Sequence, residues 1–77
     1  MKYYKKVSDN VTFYYASLPQ ENQDYDTGVR IIRGSFNQYY ISNSTFDTDD
    51  CISINREEFE TEYNKAIESF NLLMKVV

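Results

Sequence analysis

The hydrophobic pattern of the chain changes period once, at Asn55, and that change leaves few architectures open. After it, Phe59, Tyr63, Ala66, Ile67, Phe70 and Leu73 recur at helical spacing, one apolar stripe along a rod. Asn55 is a good N-cap, with Glu58 three residues on to complete a reciprocal bond. Glu57, Glu58, Glu60 and Glu62 crowd the first turns and Lys75 sits near the far end, the sense that suits the helix dipole. The pattern predicts a helix over about 56–74.

Before Asn55 the apolar residues alternate in short β-prone runs. Tyr3–Val7 and Val11–Ala16, parted by Ser8-Asp9-Asn10, read as a hairpin. Val29–Arg33 and Gln38–Ser42, parted by Gly34-Ser35-Phe36-Asn37, read as a second. Residues 18–28 hold Pro19, acids and amides, and are expected to form a surface loop. Asn43–Asp50 is polar and acidic, with Phe46 positioned to pin it, and Ile52–Ile54 suits a last short strand. The fold class expected is α+β, a single domain spanning 1–77. Four to five antiparallel strands lie within 2–54, and one C-terminal helix packs across one face.

Size then decides what chemistry is open. A chain of 77 residues has no room for a cleft between two lobes. Its one cysteine allows no internal disulfide, and without histidine it cannot assemble a four-ligand zinc site. Stability must come from its thirteen Tyr and Phe residues, from self-association, or from both. The lone Cys51 and the absence of a long apolar run favour a cytoplasmic protein with no membrane span.

A helix about 10–12 Å wide covers two or three strands spaced ~4.8 Å apart, on one face only. Following the alternation, the other face is expected to carry Tyr4, Tyr14, Ile32 and Tyr40, a hydroxyl-tipped apolar patch suited to a protein partner.

The net charge is −4, and Asp47, Asp49, Asp50, Glu57, Glu58, Glu60 and Glu62 face Arg56 alone. Such an edge repels phosphate, which disfavours direct nucleic-acid binding, yet it suits a basic groove on another protein. A single-strand platform from Lys5, Lys6, Arg30 and Arg33 with Tyr14, Tyr39 and Tyr40 has the residue types but the wrong overall charge. Asp47, Asp49 and Glu58 match positions 1, 3 and 12 of a calcium loop, but Cys51 and Ile52 fall where an oxygen ligand and a glycine are required. Cys51 lacks a histidine base, no phosphate-loop motif occurs, and the acids lie in polar contexts. No catalytic residue, metal ligand or cofactor site is expected.

The function expected is therefore a non-enzymatic, small acidic protein-binding module. One concrete form is an inhibitor or accessory factor from a phage or mobile element that occupies a basic groove of a larger protein, including one built for nucleic acid. The residues expected to carry contact are Asp47, Asp49, Asp50, Glu57 and Glu58 by charge, with Tyr14 and Tyr40 by burial. The alternative is a self-associating module whose tyrosine face forms a homodimer.

Overall fold

The computed structural model describes residues 1–76, without the side chains of Gln38, Tyr39 and Val76. Strands β1 (Lys2–Ser8), β2 (Val11–Pro19), β3 (Tyr25–Ile32), β4 (Ser35–Ser42) and β5 (Cys51–Ser53) precede one helix, α1 (Arg56–Val76). All pairings are antiparallel and the sheet order is β4-β3-β2-β1-β5. The α+β class and the antiparallel sheet with a C-terminal helix are as the periodicities predict.

Both hairpins close on two residues in the left-handed region: Asp9 and Asn10 (φ 52° and 63°), then Arg33 and Gly34 (φ 51° and 77°). Such turns match the twist of the flanking strands, so they hold the hairpins tightly. The second turn is shorter than expected, and β4 begins at Ser35 instead of Gln38.

The expected 18–28 loop is mostly strand. Leu18 pairs with Thr27 and Pro19 with Asp26, leaving only 20–24 between β2 and β3. Polar side chains hold that extension together. The Ser17 hydroxyl donates to Asp26 in the interior, and Gln20 Nε2 donates to Thr27 Oγ1 at 2.9 Å. Opposite Ser17, a Cβ on Gly28 would collide with the Ala16 carbonyl, so the close approach of the strands needs glycine there.

The register sorts the side chains. Toward the helix point the rows Tyr3–Ala16–Val29, Lys5–Tyr14–Ile31–Phe36 and Leu18–Thr27–Tyr40. Ala16, Ile31, Phe59 and Ala66 form the buried centre, ringed by Tyr3, Tyr14, Val29, Phe36, Ile54 and Tyr63. The helix is capped as its sequence requires, Asn55 Oδ1 accepting from the Glu58 amide at 2.8 Å.

The second face is covered where it was expected to be open. The 3₁₀ turn Asn43–Phe46 and the residues up to Asp50 fold beneath it. Phe46 stacks on Tyr4 with ring centroids 4.3 Å apart and meets Tyr15 edge-on at 5.4 Å. Lys6 Nζ ties this cover down, donating to the Thr45 carbonyl at 3.3 Å and lying 3.9 Å from Asp50. Tyr15 and Ile41 are buried as a result. Of the four side chains assigned to an open second face, Tyr4 lies under Phe46 and Ile32 is half-buried, while Tyr14 and Tyr40 belong to the helix side.

Candidate functional site

The residues proposed from sequence for partner contact do not converge. Asp47, Asp49 and Asp50 are exposed on the turn before β5, and Glu57 and Glu58 are exposed on the first turn of α1. These five share the β5 side of the molecule. Tyr14 lies toward the helix in the middle of the sheet, half-buried, with Lys5 Nζ 6.0 Å from its ring centre. Tyr40 stands on β4 at the opposite edge, four strand positions from β5, or roughly 19 Å at ~4.8 Å per step.

The other constellations disperse as well. Lys5 faces the helix side and Lys6 and Arg30 the other, while Arg33 sits in a turn, so the basic residues share no platform. The Tyr39 side chain lies outside the described residues. In place of a calcium loop, residues 47–58 form a turn, a strand and a helix start. Among the described residues no three acidic or thiol side chains gather as a metal site.

A small cleft opens beside the second-face cover, lined among others by Lys2, Tyr4, Asp26 and Asp47. Burial pushes the Tyr4 phenol up, and the negative charges of Asp26 and Asp47 add to it, as does Cys51 once its thiol ionises at alkaline pH. The Cys51 thiol is pushed up by burial and by Asp50 and Asp47, with Lys6 opposing. Both shifts run opposite to the lowering that activates a thiol or phenol as a nucleophile. The Asp26 carboxyl is occupied by Ser17, so this polar cluster serves to join β2 to β3.

Comparisons with known proteins add nothing to this geometry. The chain matches no protein family, no curated protein and no solved structure. Function must be argued from its own surface.

Among the described residues that surface has one distinctive region, at the β4 edge and the end of α1 instead of on the second face of the sheet. The helix crosses the sheet diagonally. Phe59 lies 5.4 Å from the Tyr3 ring of β1, Tyr63 lies 5.8 Å from Phe36 of β4, and Phe70 lies 6.0 Å from Phe36. Phe70 and Leu73 line a shallow groove with Gly34 and Phe36, which places this part of the helix at the start of β4. Phe70, Leu72, Leu73 and Met74 are 50%, 58%, 61% and 57% exposed. On the same side of the sheet Tyr40 is 71% exposed, its ring edge-on to Tyr25 at 5.0 Å. β4, which carries Phe36 and Tyr40, is an eight-residue edge strand without a charged residue or a proline. Natural edges are normally blunted by just such residues. The consecutive run Leu72-Leu73-Met74 was a visible signal, because apolar residues on every side of a helix call for cover on every side. Among the described residues no helix is long and apolar enough to cross a membrane.

Proposed function

We propose that this chain is a non-enzymatic interaction module that acts by protein–protein contact, with the corner formed by β4 and the end of α1 as its contact surface. One observation carries the reading. Five large apolar side chains stand at least half exposed around a single uncharged strand edge, in a chain too small to waste apolar surface. The upward shifts of Tyr4 and Cys51 and the engagement of Asp26 by Ser17 are in keeping with a non-enzymatic module. The acids of the β5 side act at long range, away from this corner. In the form that the charge of −4 suits, those acids draw the module to a basic, nucleic-acid-binding surface of a larger protein, as an inhibitor from a phage or mobile element would be drawn.

The test compares the chain with Leu73→Glu/Met74→Lys, both positions being exposed. Immobilised wild-type protein should retain a stoichiometric partner, either a protein from lysate identified by mass spectrometry or free copies of the chain added in solution. The double variant, with an unchanged melting curve, should retain none. Equal retention by the two would overturn the reading.

A further inference from the structure

We infer that the occupant of this corner is a second copy of the chain, joined β4 to β4 about a two-fold axis perpendicular to the sheet. The inference rests on the interaction reading above and names its partner.

The hydrogen bonding of β4 fixes the register. A two-residue turn makes Ile32–Ser35 the closing bonded pair. The alternation then directs the amides and carbonyls of Asn37, Tyr39 and Ile41 at β3, and those of Phe36, Gln38, Tyr40 and Ser42 outward. The Asn43 amide, donating to Asp24 at 3.0 Å, follows the same alternation at the far end. An antiparallel copy that sets Phe36 opposite Tyr40, and Gln38 opposite Gln38, uses outward groups only. It forms about six backbone bonds and keeps both helices on one side of a continuous sheet.

That register also covers what each copy leaves bare. The helix moves from β1 to β4 between Phe59 and Phe70, so its following residues carry on past the edge. Six more residues at ~1.5 Å each advance it about 9 Å, roughly two strand spacings along its axis. It therefore arrives above the neighbouring strand of the second copy, at the position taken by that copy's Tyr40. Phe70, Leu73 and Met74 of one chain roof the Tyr40–Tyr25 pair of the other, and the two-fold axis repeats the contact. The two overhangs lie at opposite ends of the joined strands and do not compete for space.

Area and charge agree with a stable pair. Tyr40, Phe70, Leu73 and Met74 offer on the order of 400 Å² per copy, half of the ~800 Å² per partner that a standard interface buries. The eight-residue strand edges add the backbone surface that completes it. From Gly34 to Ser42 there is no charge, and from Ser69 onward only Lys75. The exposed acids of 47–58 stand at the outer edges of the joined sheet, where the two sets are farthest apart.

Sedimentation equilibrium of the full chain between about 1 and 200 μM tests this. The expected result is a dimer that persists at 0.5 M NaCl, since no ion pair holds it. Tyr40→Lys and Leu73→Glu should each raise the dissociation constant at least tenfold without moving the monomer melting curve. Their combination should recover part of the loss, because the new lysine then lies under the new glutamate. A dimer indifferent to both substitutions overturns the inference. A monomer throughout also overturns it, and the interaction reading survives that result only if Leu73→Glu/Met74→Lys still abolishes capture from lysate.

Discussion

Among the described residues Ser17 and Asp26 are the buried polar ones, and their mutual hydrogen bond explains how a stretch rich in polar residues becomes strand. Pro19, the acids and the amides, taken one by one, predict a loop. That two polar groups satisfy each other across β2 and β3 is a property of strand pairing, which composition does not carry. Ser17→Ala removes the donor and leaves the carboxyl buried, so it should cost about 1–3 kcal/mol in urea unfolding. A variant as stable as the parent would show that the pair does not hold the extension. Tyr4 and Cys51 give a second prediction at this scale. Burial is the first cause of the upward shift in each. The folded state therefore binds their protons more tightly than the unfolded chain does, and this contribution is fully present below the ordinary thiol and phenol ranges of about 8.5 and 10. It is lost as pH rises through the higher folded values. The urea midpoint should fall as pH rises above about 8.5, and Tyr4→Phe with Cys51→Ser should flatten that fall.

The helix shows what periodicity can and cannot deliver. Its cap, its start and its apolar stripe were legible, because capping geometry and the 3.6-residue repeat are local properties. Where the stripe stops being core was not legible, since that depends on the width of the sheet and the angle of crossing. Phe59 and Ala66 are buried, Ile67 is half-buried and Phe70 is half exposed, although all four share one sequence pattern. Phe59→Ala should accordingly cost about 3–5 kcal/mol. Phe70→Ala, which loses mainly its contact with Phe36, should cost about 1 kcal/mol in the monomer. Equal losses in thermal or urea unfolding would mean that the helix does not run off the sheet as described. The same limit explains the tyrosines. Alternation assigns residues to two faces, but only the register between strands puts Tyr14 and Tyr40 on the helix side and Tyr4 beneath Phe46. The role of Phe46 as a pin was legible from its isolation in a polar stretch, whereas the resulting closure of the second face was not.

At the scale of the whole molecule, stability runs in a gradient from the middle of the sheet to its β4 edge. β2 and β3 have neighbours on both sides, a helix above and, beneath part of their length, the Asn43–Asp50 cover. β4 has one neighbour, and the apolar side chains of α1 from Phe70 to Met74 are at least half exposed. Opening free energies follow burial and hydrogen bonding, from the global value in the centre to near zero at uncovered ends. Native-state hydrogen exchange on dilute protein should therefore find Tyr15, Ala16 and Ile31 slowest and the amides after Phe70 among the fastest. Within β4 the expected pattern alternates: Asn37, Tyr39 and Ile41 are protected by β3, while Phe36, Gln38, Tyr40 and Ser42 exchange freely. Uniform protection along β4 in dilute protein would contradict the outward alternation from which the pairing is derived. Protection that spreads to the outward set as concentration rises, together with slower exchange beyond Phe70, is what a strand added at this edge must produce, because one event supplies both the missing acceptors and the missing cover.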